Sequence, residues 1–228
     1  MAAIVFDLDG TLIHSAPDIH HAANSLLAEH GKGPLSLETV TGFIGKGVPW
    51  LVTCLIRETG LDPALHPELV AGFGARYESA VTLTRPYPGV VAALETLKDA
   101  GHRMAVCTNK PVAPALAVLE HLNLAGFFDH VQGGDMLGVK KPDPAPVRAT
   151  LAALEVPTAI YVGDSETDAE TAQRAGLPFA LFLGGYRKTP PEELPHEFAF
   201  ADFAELAPFI RAHSAPGTGS EPVTSSRS

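Results

Sequence analysis

Ala3-Ile4-Val5-Phe6-Asp7-Leu8-Asp9-Gly10-Thr11-Leu12 runs a set of strand-forming residues into two carboxylates and a glycine turn. Ile4, Val5 and Phe6 read as a buried strand, and Gly10 ends it. Asp7 and Asp9 stand two apart, so on an extended backbone their side chains share a face, where they repel by about 4 kcal/mol at ~4 Å and an effective dielectric of ~20. A bound cation relieves that repulsion, and so does a proton kept on one carboxyl; chemistry uses both arrangements. Taken alone, Asp-x-Asp also fits a strand ending in a polar loop, so the other parts of a site must come from elsewhere in the chain.

Behind this strand the pattern turns helical. Ile19, Ala22, Ala23, Leu26 and Leu27 recur at helical spacing, as do Val48, Leu51, Val52, Leu55 and Ile56, then Leu69, Val70, Phe73 and Tyr77. No strand pattern interrupts residues 15–82, and an all-helical block of that length is not a single crossover helix. It is expected to be a small inserted cap. From Tyr87-Pro88-Gly89 onward helices and strands alternate, with strands at Met104–Cys107, His130–Gly134, Ala159–Val162 and Phe179–Leu183. Alternation predicts an α/β fold: a doubly wound parallel sheet with helices on both faces, built from residues 1–14 and 83–213. Residues 214–228 are rich in Ser, Pro, Gly and Thr and lack aromatics. They cannot bury enough apolar surface to offset chain entropy and are expected to be a disordered tail.

Composition narrows the partners. The chain has 228 residues, 46 % hydrophobic and 18 % charged, with a formal net charge of −10. That balance argues against nucleic acid and anionic membranes, which both call for basic surface. No apolar run reaches transmembrane length and no basic leader precedes the first strand, which predicts a cytoplasmic protein. Cys54 and Cys107 form no metal-type or redox-type pair and read as buried thiols.

In open α/β sheets ligands bind beyond the carboxyl ends of the strands. Four polar groups stand at such ends: Asp7 with Asp9, Thr108 with Asn109, Lys140 with Lys141, and Asp164 with Asp168. Thr108-Asn109-Lys110 can grip a phosphate oxygen through a hydroxyl, an amide and free backbone N–H groups, or can merely cap a helix. Lys141 precedes Pro142, which restrains its backbone and so the aim of its ammonium. Ser165 and Asp168 fit a capping box, but that box does not require Asp164, whose carboxylate would suit the oxygen shell of Mg²⁺.

The order Asp-x-Asp, Thr-Asn, Lys-Pro, Gly-Asp-x-x-x-Asp resembles the four motifs of the haloacid dehalogenase superfamily, over nearly the whole chain to about residue 210. The resemblance implies a Rossmann-like core with a helical cap, and an enzyme of carbohydrate metabolism. It implies that Asp7 is the nucleophile and Asp9 the general acid and base. Thr108 and Lys141 would hold the phosphoryl group, and Asp7, the carbonyl of Asp9 and Asp164 would bind Mg²⁺ with support from Asp168. Gly10–Asp18, Cys107–Pro111 and Phe43-Ile44-Gly45-Lys46-Gly47 look most like the phosphoglycolate phosphatases within that superfamily. This implies hydrolysis of 2-phosphoglycolate, with Asn109, Gly45 and Lys46 also at the substrate, by a monomer or homodimer. His14 departs from the pattern, standing beside the cap hinge where such sequences usually carry Asp; it is either a pH-sensitive element or a plain surface residue. Three alternatives stay open: a sugar phosphomutase, a phosphatase for another small ester, and a receiver-type phosphoaspartate module. Halide release is disfavoured, because dehalogenases of the superfamily lack the acid that Asp9 supplies.

Overall fold

The computed structural model describes residues 2–214. Apart from Ser214, the tail expected to be disordered lies outside the described residues. In chain order the elements are β1 (Ala3–Phe6), β2 (Ile13–His14), α1 (Ala16–Glu29), α2 (Leu37–Thr41), α3 (Val48–Thr59), α4 (His66–Tyr77), β3 (Arg85–Pro86), α5 (Val90–Asp99), β4 (Arg103–Cys107), α6 (Val112–His121), β5 (His130–Gln132), α7 (Ala145–Ala153), β6 (Ile160–Gly163), α8 (Glu166–Ala175), β7 (Phe179–Phe182), β8 (Phe198–Phe200) and α9 (Leu206–Ser214).

Six strands form one sheet in the order β5-β4-β1-β6-β7-β8, all parallel. Central β1 pairs Ile4 with Met104 on one side and Ile160 on the other. The period of two in this strand divides the core. Ile4 and Phe6 face a cluster completed by α5, α6 and α9, including Leu94, Leu119 and Ile210. Ala3 and Val5 face the opposite cluster with Val147 of α7 and Ala172 of α8. Ile4, Val5 and Phe6 are fully buried, each contributing about 1.5–3 kcal/mol of apolar burial. After β5 the chain crosses back to lay β6 on the other side of β1. That reversal opens a crevice at the carboxyl ends of β1, β4 and β6, where a doubly wound sheet takes its ligand.

Helices α1–α4 bury a separate cluster, with Ile19, Leu27, Val52, Leu55 and Phe73 at its centre. Two chain crossings join this group to the sheet through the antiparallel ribbon of β2 and β3, where His14 pairs with Arg85. One Asp18 oxygen accepts from the amides of Leu83 and Thr84 at 3.0 and 2.7 Å and from the Thr84 hydroxyl at 2.6 Å. A single buried carboxylate thus ties the start of α1 to the returning strand.

Five elements exceed the sequence reading. β2 and β3 have two residues each, α2 five and β8 three, too short for a periodic signal. α9 follows directly on a capped turn at Asp202, and its apolar residues close the Ile4 face of the sheet.

Candidate active site

Asp7 continues β1 beyond its last paired residue, its amide donating to Val162 O at 2.8 Å. The chain then turns at Gly10, whose φ of +94° and close approach to Asp164 exclude a side chain: a Cβ there would lie 2.6 Å from Asp164 Oδ2. Asp164, just past β6, accepts from the Thr11 hydroxyl at 2.7 Å and from the Tyr186 amide at 2.7 Å. Asp168 serves two purposes. Its Oδ2 completes the capping box of α8 with Ser165, and its Oδ1 lies 2.8 Å from Lys141 Nζ.

Lys141 is the hub of the floor. Its ammonium also reaches Asp7 Oδ1 at 2.9 Å and the Tyr161 hydroxyl at 2.9 Å, and Tyr161 donates in turn to Cys107 O. Burial works against the charge on Lys141, but Asp168 and Asp7 together hold its pKa well above the ordinary lysine value. Burial, then the charge of Asp168, raises Asp7 to about 7 against the pull of Lys141. Asp164 is also pushed well up, by burial and then by Asp168 and Asp7, with the Tyr186 amide and Thr11 hydroxyl opposing. Three buried carboxylates share too little compensating charge. Asp7, Asp164 and Asp168 each offer an oxygen within 4.8 Å of the others, and Asp7 Oδ1 accepts no well-directed hydrogen bond despite its ion pair. Hard oxygen donors and surplus negative charge together fit a divalent cation.

The repulsion expected between Asp7 and Asp9 is resolved by giving each its own lysine. Asp9 Oδ1 lies 3.3 Å from Lys110 Nζ, and Asp9 Oδ2 accepts from the Tyr77 hydroxyl at 3.1 Å. Lys110 Nζ also donates to the Tyr77 hydroxyl at 2.5 Å and lies 3.9 Å from the centre of that ring. Burial lowers the Lys110 pKa, opposed by Asp9.

Thr108, Asn109 and Lys110 are not the start of a helix. α6 begins only at Val112, whose amide donates to Asp135 at 2.8 Å. The side chains of that run are therefore free for other work. Thr108 is buried and lines a recess of about 40 Å³ with Asp7, Asp9 and Lys110. Asn109 is engaged elsewhere: its amide nitrogen donates to Gly45 O at 2.9 Å and Lys141 O at 3.0 Å, while its oxygen accepts from the Lys141 amide at 3.0 Å. It links the helical group to the peptide of Lys141. Gly45 and Lys46 edge a second cavity of about 240 Å³ that also meets Asp7, Asp9 and Asp164. Lys46 is exposed, its Nζ 5.0 Å from the centre of the Trp50 ring.

Four side chains at the site lacked a role in the sequence reading: Thr11, Tyr77, Lys110 and Tyr186. The Tyr186 hydroxyl accepts from the amides of Ser15 and Ala16 at 2.9 and 3.0 Å and lies 3.0 Å from His14 Nδ1, so one residue joins Asp164 to the β2–α1 junction. The Thr-Asn-Lys run held a signal for Lys110. Nothing local pointed to Tyr77 or Tyr186, whose partners are distant in the chain.

An Asp-x-Asp strand end facing lysine and aspartate from three further loops of a parallel sheet defines the class of protein. The sequence profile of the haloacid dehalogenase-like hydrolases matches residues 4–182, and the chain belongs to that family. Among curated relatives, a phosphoglycolate phosphatase of Cereibacter sphaeroides is 50 % identical over 214 residues, covering 92 % of this chain and 98 % of its own. One from Rhodospirillum rubrum is 41 % identical over 217 residues, covering 91 % and 90 %. Among solved structures, a "predicted phosphoglycolate phosphatase" from Haemophilus somnus superposes with a TM-score of 0.86 at 30 % identity, covering 92 % of this chain and 98 % of that one. Among the described residues no helix is long and apolar enough to cross a membrane.

Proposed function

We propose that this chain is a Mg²⁺-dependent phosphomonoesterase that hydrolyses 2-phosphoglycolate to glycolate and phosphate. The observation that carries the reading is the Lys141 ammonium, shared between Asp7 and Asp168 beside a third buried carboxylate. The likeness to phosphoglycolate phosphatases over nine-tenths of the chain supplies the substrate.

Asp7 attacks phosphorus, the bond from phosphorus to the ester oxygen breaks, and Asp9 gives its proton to that oxygen as glycolate leaves. Asp9 then takes a proton from water, which attacks the aspartyl phosphate and frees Asp7. Lys141 and Thr108 hold the phosphoryl oxygens. Asp7, the carbonyl of Asp9 and Asp164 would hold Mg²⁺, with Asp168 fixing Lys141 and the loop that carries Asp164. When bound, the ion neutralises charge on the transferring oxygens and counters the proton affinity of Asp7 and Asp164. Residues 15–82 act as a cap on residues 1–14 and 83–213, and the separate apolar cluster of α1–α4 supports this division.

The test is phosphate release from 2-phosphoglycolate with and without Mg²⁺, by the wild type and Asp7→Asn. The reading expects turnover only for the wild type with metal, and a folded but inert variant. Wild-type rates from Asp7→Asn would end the nucleophile assignment.

A further inference from the structure

A carboxylate in the substrate needs a cation near the leaving oxygen, and the floor cannot supply one. Lys141 is shared between Asp7 and Asp168, against Tyr161, and on the function proposed above it serves the phosphoryl oxygens. The carboxylate of 2-phosphoglycolate sits one carbon from the ester oxygen, so it falls within a few ångströms of whichever group protonates that oxygen. On the function proposed above, that group is Asp9.

Lys110 is the buried cation at that place. Its ammonium lies 3.3 Å from Asp9, on the wall of the recess above Asp7 and Asp9. The Tyr77 phenol, delivered by α4 from the helical group, meets it at 2.5 Å. With Asp9 and Tyr77 as its partners, one ammonium N–H has none among the described residues. Lys46, which the resemblance also placed at the substrate, is exposed and lies over Trp50.

We infer that Lys110, positioned by Tyr77, is the residue that recognises the carboxylate of the substrate and so sets the preference for an acidic leaving group. The inference rests on the phosphoglycolate reading and adds a specificity-determining residue to it. Because Lys110 follows β4 of the sheet and Tyr77 ends α4 of the helical group, this contact joins the two groups at the carboxylate.

The experiment compares kcat/KM for 2-phosphoglycolate and for 2-hydroxyethyl phosphate, which keeps the two-carbon skeleton and lacks the carboxylate. Wild type, Lys110→Met, Tyr77→Phe and Lys46→Met are measured with Mg²⁺ present. The wild type favours 2-phosphoglycolate. Lys110→Met lowers the ratio of kcat/KM for 2-phosphoglycolate over 2-hydroxyethyl phosphate by about 10–100-fold, the scale of one charged hydrogen bond, on top of any common loss that its contact with Asp9 adds to both esters. Tyr77→Phe shifts the same ratio by a smaller factor and carries the test if Lys110→Met does not fold. Equal losses on both esters, or a preference that survives Lys110→Met and collapses in Lys46→Met, overturn the assignment alone. A wild type indifferent to the carboxylate refutes the phosphoglycolate reading and this inference with it.

Discussion

Replacing Lys141 by Met tests whether one ammonium holds the floor of the site together. The side chain is buried, 2.9 Å from Asp7 and 2.8 Å from Asp168. At an effective dielectric of ~20 each contact has a gross attraction of about 6 kcal/mol, most of it offset by the desolvation of three charges. Removing one member of a buried pair leaves a net loss of about 3–5 kcal/mol. For a chain of this size that lowers Tm by about 6–20 °C. The loss depends on pH, because burial raises Asp7 to about 7. At pH 8 Asp7 is charged in the wild type and loses its cation in the variant; at pH 5.5 Asp7 already carries a proton, and a smaller loss is expected. Thermal unfolding followed by circular dichroism at the two pH values, with chelator present, reads the difference. Equal destabilisation at both, or less than about 1 kcal/mol at pH 8, would refute the shared-ammonium account.

Mg²⁺ should raise Tm more at pH 8 than at pH 6. In the metal-free protein the folded-state pKa of Asp7 lies above its unfolded value of 3.8, so the stability belonging to its protonated form is lost as pH rises through about 7. A cation must compete with that proton at pH 6, and equal shifts at both pH values would contradict the assignment of Asp7 as a ligand. Gly10→Ala forces a left-handed backbone on alanine at about 1–2 kcal/mol and drives a methyl toward Asp164. Activity and metal affinity should therefore both fall by at least about tenfold, and an unchanged titration curve would refute that placement of Asp164. Tyr186→Phe removes the oxygen that accepts from Ser15 and Ala16. A loss of about 1–3 kcal/mol in urea unfolding is expected, and no loss would mean that water serves those amides equally well.

The parts of this structure that the sequence revealed are those with short-range causes. Strand β1 announces itself by three apolar residues and a turn; Asp7 and Asp164 each follow a strand, Lys141 precedes a helix, and Asp168 stands in the first turn of one. Parallel winding then delivers such strand ends to one edge, so their meeting follows from the topology. Asp168 shows that a structural and a functional reading can both hold, since its two oxygens cap α8 and pair with Lys141 separately. Asn109 is different. Its residue type suited a phosphate, but its amide is committed to Gly45 and Lys141, partners that no local pattern indicates. Tyr77 read as the inner face of a helix, which its buried ring bears out, yet the reach of its hydroxyl to Asp9 across 68 residues is set by how α4 lies over the sheet. Long-range placement of this kind is a property of packing, and periodicity carries no trace of it.

The central claim is that Asp7 takes the phosphoryl group from substrate. Its most direct measurement is intact-mass and peptide mapping of wild type and Asp7→Asn mixed with 2-phosphoglycolate and Mg²⁺ and quenched in acid within a turnover. The account predicts one added phosphoryl mass, confined to the peptide that contains Asp7 and missing in Asp7→Asn. A phosphoryl group on any other residue, or the same phosphoryl mass trapped on Asp7→Asn, would contradict it.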